Sequence, residues 1–91
     1  MTEKTLFEKE QLMGREAVAE YLRTLADSIE SGSDVTLRSG DQSVTMSPPD
    51  EVEFEVKAER EGPTDGEGEL SIEVEVEWPE NASDGGSLSI D

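Results

Sequence analysis

Two rows of glutamate are the residues of this sequence whose type and spacing could do chemistry. Glutamate stands at every second position in Glu51–Glu55 and again in Glu73–Glu77. On a strand, residues two apart lie on one face about 6.7 Å apart, and carboxylate oxygens are the ligands that Ca²⁺ and Mg²⁺ prefer. A tight site needs convergent ligands, which a flat sheet face rarely supplies. The rows therefore favour a solvated face that collects K⁺ diffusely, with a divalent-cation-binding carboxylate surface as the alternative.

The composition excludes most catalytic chemistry. The chain of 91 residues has no cysteine and no histidine, which rules out a thiol nucleophile, a thiolate or imidazole metal site and a Ser-His-Asp triad. Paired carboxylates could act as acid and base, but the acid needs a raised pKa and hence an apolar pocket. The acidic loop that begins at Asp65 has Leu70 and Val76 where an EF-hand requires glycine and glutamate. We therefore expect no enzyme activity, no cofactor and no assigned metal ligand.

The charge indicates both the partners and the solvent of this protein. There are 24 acidic and 7 basic residues, for a formal net charge of -17. Nucleic-acid binding requires positive charge, so it is not expected, although the glutamate spacing leaves a nucleic-acid mimic as a third possibility. Repulsion across such a surface is screened at about 1 M salt, where the Debye length is about 3 Å. The excess of glutamate over lysine is thus typical of a halophilic cytoplasm.

The segments that could direct the chain to a membrane are missing from the sequence. No stretch approaches the roughly 20 apolar residues of a membrane span. Met1–Glu10 is charged and lacks the apolar stretch of a secretory signal. These observations predict a cytoplasmic protein with no membrane partner.

One amphipathic helix is predicted over residues 15–31. Apolar side chains recur at steps of four, three and four, at Val18, Leu22, Leu25 and Ile29. Gly14 is expected to be the N-cap residue, and Gly32 is expected to end the helix in the left-handed conformation.

Beyond the helix the apolar period changes from 3.6 to 2, which predicts strands. The segment 3–10 could form a first strand, in which the adjacent Leu6 and Phe7 would point to opposite faces. Gly40-Asp41 favours a type II′ hairpin turn, and Pro48-Pro49 should end the strand before it because proline cannot donate to the ladder. The other predicted strands contain Val35–Leu37, Val44–Met46, Val52–Ala58 and Leu70–Trp78.

These elements predict an α+β fold of two layers. One helix would pack on a four- to five-stranded, mainly antiparallel sheet in the order β-α-β-β-β-β, because short loops favour antiparallel neighbours and the helix stripe can cover one sheet face. Residues 1–79 would form the single domain. Residues 80–91 are small and polar and are expected to be a mobile C-terminal tail.

Four segments together resemble the Amphi-Trp domain family, small acidic proteins common in halophilic archaea. They read KTLFEKE, GREAVAEYLRTLADSIESG, SVTMSPPDEVEFEVKAE and LSIEVEVEW, within residues 4–78, and the name-giving tryptophan would be Trp78. The helix pattern falls on Arg15, Glu16, Ala19, Leu22, Leu25, Ala26 and Asp27. Gly14 stands where the family more often has serine. The resemblance implies no activity, so no catalytic residues are carried over.

The function favoured by the sequence is therefore a non-enzymatic protein-interaction module. An exposed sheet edge or the outer face of the first strand would hold an unknown protein partner or a second copy. Trp78 is expected at the end of the core, with a partly exposed anchor as the alternative, since tryptophan is common at interface hot spots. The candidate interaction residues are Leu6, Trp78, Leu88 and Ile90.

Overall fold

The computed structural model describes residues 2–81, and these residues form one helix and two hairpins. The elements in chain order are α1 (Arg15–Ser31), β1 (Val35–Ser39), β2 (Gln42–Met46), β3 (Glu53–Glu61) and β4 (Glu69–Glu77). β1 pairs antiparallel with β2, and β3 pairs antiparallel with β4, which gives two separate two-stranded sheets. The predicted α+β class is confirmed.

The helix has the bounds that its apolar period predicts. Gly14 is the N-cap residue in an extended conformation and supplies no side-chain cap. At the other end Gly32 has a φ of 76°, and its N–H donates to the Ile29 carbonyl while the Ser33 N–H donates to the Ser28 carbonyl. This pair of bonds is a Schellman motif, which satisfies carbonyls left free at a helix C-terminus. No helix within residues 2–81 is long and apolar enough to cross a membrane.

The first hairpin, β1–β2, turns where the sequence predicts. Ser39 lies opposite Gln42, so Gly40 and Asp41 are the two residues of the turn. Gly40 has a φ of 57°, and no non-glycine residue in the described part of the chain has a positive φ. A positive φ at the first turn residue alone fits the type II′ turn, whose twist matches that of the two strands.

The second hairpin, β3–β4, is longer and is closed by an anchored loop. Each strand has nine residues, with Glu53 opposite Glu77 and Glu61 opposite Glu69. Arg60 Nη2 donates to the carbonyls of Pro63 and Gly66 at 2.8 and 2.9 Å. A Cβ at Gly68 would lie 2.5 Å from the Glu61 carbonyl oxygen, so only glycine lets the loop close here.

Two features predicted from the sequence are not found. Residues 3–10 form no strand, because Leu6 and Phe7 are adjacent and flanked by charge, without the alternation that a half-buried strand needs. The single sheet in two layers is not confirmed either. Among the elements of residues 2–81, β3 does not pair with β2, since Pro48-Pro49 ends the ladder, and α1 contacts only β1.

The described chain is elongated and has no closed core. Its radius of gyration is 17.0 Å and its longest extent is 66 Å, against a radius of about 12 Å for a compact domain of this length. No hydrophobic residue between 2 and 81 falls in the fully buried class. The most shielded apolar side chains, Leu25, Val35 and Val44 among them, are half-buried around α1 and the first hairpin.

Candidate interaction surface

The ladder of β3–β4 sorts its side chains into two chemically opposite faces. Residues directly opposed in an antiparallel pair share a face, and faces alternate along each strand. One face carries seven apolar residues, three from β3 and four from β4, and is named here the hairpin apolar face. Its members are Phe54, Val56, Ala58, Leu70, Ile72, Val74 and Val76.

The hairpin apolar face is open to solvent along its length. Phe54 is 67% exposed, Ile72 79% and Leu70 82%, whereas such side chains normally supply a domain with its core. Only Val76, at the end nearest the first hairpin, is half-buried. No Cα atom of α1, β1 or β2 lies within 8 Å of a Cα atom of β3 or β4. The face is therefore an uncovered apolar surface that runs along most of the second hairpin.

The opposite side of the same hairpin is named here the acidic face. It carries eight glutamates, four from each strand, together with Lys57 and Ser71. Lys57 Nζ lies 3.9 Å from carboxylate oxygens of both Glu59 and Glu73. These ion pairs are about half exposed, so each contributes little to stability.

The strongest electrostatic perturbation lies at the end of the acidic face where Glu53 and Glu77 are directly opposed. A hydrogen bond between the two carboxyl groups, followed by repulsion from Glu75, raises the pKa of Glu77 above its ordinary value. The hydrogen bond needs one of the carboxyl groups to be protonated, which is why it favours the neutral form. Glu77 is fully exposed, so this pair is a local response to crowded charge and not a buried acid of the catalytic kind.

The acidic face does not converge on a metal position. Within residues 2–81 no group of three or more aspartate or glutamate side chains is arranged to hold a metal ion. Carboxylates that stand side by side on a flat ladder point away from the sheet in parallel, whereas Ca²⁺ needs six to eight oxygens around one point.

Trp78 lies one residue beyond β4, at the junction of the two hairpins. It is half-buried and lines an open groove together with Leu6, Val44, Met46 and Val76. The segment that carries Leu6 is held beside β2, where Gln42 Nε2 donates to the Glu8 carbonyl at 3.2 Å. Leu6 and Trp78 thus come together at the base of the second hairpin, although Leu6 remains 58% exposed.

The other two candidate residues from the sequence, Leu88 and Ile90, lie outside the described residues. The surface that sequence reasoning missed is the hairpin apolar face, whose side chains were expected to be covered by the helix. The signal that could have found it is Pro48-Pro49, which separates β3 from the element that carries the helix.

Comparison with known proteins agrees with the resemblance noted from the sequence. The family model of the Amphi-Trp domain matches residues 1–91. No match was found among curated proteins or among solved structures.

Proposed function

The chain belongs to the Amphi-Trp domain family, and we propose that it is a non-enzymatic protein-interaction module that binds through the hairpin apolar face. The observation that carries this proposal is the exposure of that face. Monomeric proteins rarely leave a contiguous apolar patch of more than a few hundred Å² in water, and here seven apolar residues of one ladder form such a patch.

The geometry favours a face-on contact over pairing at the edge of the sheet. Both strands of a two-stranded sheet are edge strands and could in principle accept a further strand. A strand added there would bring its side chains beside the glutamates of the acidic face, which are already opposed to each other at Glu53–Glu77 and Glu55–Glu75. Contact through the apolar face leaves those carboxylates in solvent.

The acidic face has the complementary role of keeping the module soluble at high salt. With a net charge of -17 the chain repels other copies and other acidic proteins in dilute solution. In a halophilic cytoplasm of molar K⁺ this repulsion is screened within about 3 Å, while contact between apolar surfaces persists. The module would therefore select partners by apolar shape and not by charge.

A pair of neighbouring substitutions tests the surface. Ile72→Glu places a charge on the hairpin apolar face, and Ser71→Glu places the same charge on the acidic face of the same strand. Each tagged variant is used to capture proteins from the cells that make it, in about 2 M KCl so that charge-based contacts are suppressed. We expect Ser71→Glu to recover the same partner as the unaltered protein and Ile72→Glu to lose it.

Equal recovery by both variants would contradict the proposal, because binding would then not depend on the apolar face. Circular dichroism of each purified variant in the same salt serves as the control for folding. Recovery that disappears with Ser71→Glu alone would point instead to a function of the acidic face.

A further inference from the structure

The hairpin apolar face is not covered by this chain's own helix. α1 lies against β1, and the linker Ser47–Val52 contains Pro48-Pro49, both half-buried, which restrict the backbone before the chain bends at Asp50 and Glu51 and enters β3. The groove lined by Leu6 and Trp78 lies at the base of the second hairpin, beside the end of β2. Folding the hairpin back onto α1 would have to change the path of this linker and open the groove.

The hairpin apolar face carries no charged group that would oppose its packing against a second copy of itself. No glutamate points to it, because every glutamate of β3 and β4 lies on the opposite side of the ladder. By its position in the ladder Arg60 belongs to the apolar face, but its guanidinium is turned into the loop and donates to the carbonyls of Pro63 and Gly66. Two copies packed face to face would bring only apolar side chains together and would hold their acidic faces on opposite outer sides.

The area available reaches the threshold for a specific pair of chains. Five of the seven side chains are 55–82% exposed, so they offer about 500 Å² of apolar surface, taking about 150 Å² for each full side chain. Two such faces would bury about 1,000 Å² in total, about the least that a specific interface buries. A symmetric contact also doubles every favourable interaction, since each residue of the patch occurs twice.

We infer that the partner on the hairpin apolar face is the same face of a second copy of this chain, packed on it about a twofold axis. This inference rests on the proposed function and identifies the partner that the function requires. The product is a small β-sandwich of two hairpins, in which the two sheets are about 10 Å apart. Val74 and its cross-strand partner Val56 lie at the middle of the face and come closest to their counterparts.

Cysteine cross-linking of the purified protein tests this arrangement, and the chain has no native cysteine to interfere. Val74→Cys places a thiol on the hairpin apolar face, and Ser71→Cys places one on the acidic face, each with little change of volume. A bismaleimide that spans about 10 Å, the spacing of packed sheets, is added in about 2 M KCl. We expect covalent dimers from Val74→Cys and at least about tenfold fewer from Ser71→Cys, because its thiols lie on the two outer sides.

Light scattering over a concentration series gives the mass without any substitution. We expect a two-chain mass for the unaltered protein, and a dissociation constant raised about 100-fold or more by Ile72→Glu, since each pair would bury two unpaired charges. Ser71→Glu should change it less than about threefold, because its charges stay in water.

Two results would overturn the inference. A one-chain mass at all concentrations would do so, and so would dimers that cross-link equally through positions 71 and 74. If the purified protein is a single chain but Ile72→Glu still loses a captured partner, the proposed function stands and its partner is a different protein. If neither experiment depends on Ile72, both the inference and the proposed function are wrong.

Discussion

The two hairpins of this chain share a strand pattern but differ in what lies against them. β1–β2 has five-residue strands, a two-residue turn and α1 beside it, and Val35, Val44 and Met46 are half-buried. β3–β4 has nine-residue strands and a long loop, and its apolar side chains are exposed. The comparison teaches that alternation fixes which residues share a face, whereas the neighbouring element decides whether that face is covered.

The polar sides of the two hairpins differ just as clearly. In the first, the hydroxyls of Thr36 and Thr45 are hydrogen-bonded across the strands at 3.0 Å, and Ser47 donates to Asp34 at 2.6 Å. In the second, glutamates face glutamates, and Lys57 alone supplies positive charge to the acidic face. Like charges directly opposite each other destabilise a sheet, so the second hairpin should depend on salt much more than the first.

Desalting should therefore affect the two hairpins differently, and its effect is the largest that we expect. On transfer from about 2 M to about 0.1 M KCl the screening length grows from about 2 Å to about 10 Å. We expect the backbone amides of β3–β4 to lose their protection from hydrogen exchange while those of β1–β2 keep most of theirs. Hydrogen exchange followed by mass spectrometry at both salt concentrations measures this.

A charge-reduced variant distinguishes repulsion from a general effect of salt on apolar contacts. Glu55→Gln combined with Glu75→Gln removes one opposed pair from the acidic face and leaves the apolar face unchanged. It should restore much of the protection of β3–β4 at about 0.1 M KCl. Equal loss in both hairpins, or no rescue by this variant, would contradict the contrast drawn between them.

Much of the local structure could be predicted because it depends on short-range spacing. The steps from Val18 to Ile29 locate the helix, and the glycines at 14 and 32 locate its ends. Gly40-Asp41 locates the first turn, because a two-residue turn fixes the register of its hairpin. The segment around Leu6 was wrongly predicted as a strand, since a strand is stable only when a ladder partner is available.

The packing of these elements could not be predicted in the same way. Alternation correctly places Phe54 and Val56 of β3 on one face. It also correctly groups Ile72 with Val74 of β4, which lie on that same face. It does not say which surface covers them, because the helix stripe fits either hairpin. Pro48-Pro49 indicates that the first ladder ends before β3, but the direction that the chain takes beyond the two prolines is a long-range property that no local pattern encodes.

The anchored loop offers a smaller test that is confined to the second hairpin. Arg60→Lys keeps the charge but removes the planar guanidinium, whose Nη2 group donates to both Pro63 and Gly66. We expect a loss of about 1 kcal/mol in the stability of β3–β4, with faster amide exchange in the loop 62–68. Arg38→Lys, beside the turn of the first hairpin, is the matched control and should have little effect. A similar loss from both variants would show that the loop anchor does not stabilise the second hairpin.

The carboxyl pair of Glu53 and Glu77, at the base of the second hairpin, should have the smallest effect on stability. The direction in which this effect changes with pH is defined. Because folding raises the pKa of Glu77 above its ordinary value of 4.5, the folded hairpin binds this proton more tightly than the unfolded chain does. Its contribution to stability is therefore fully present below pH 4.5 and is lost as the pH rises through the raised folded value.

Glu77→Gln should abolish this pH dependence, because an amide can donate to Glu53 at every pH and is not repelled by Glu75. Near neutral pH it should make the second hairpin more stable than in the unaltered protein, as measured by thermal unfolding in about 2 M KCl. Glu67→Gln in the loop removes the same single charge and controls for net charge. If the two variants raise the unfolding temperature equally at every pH, the opposed pair has no special role, and the second hairpin responds only to its total charge.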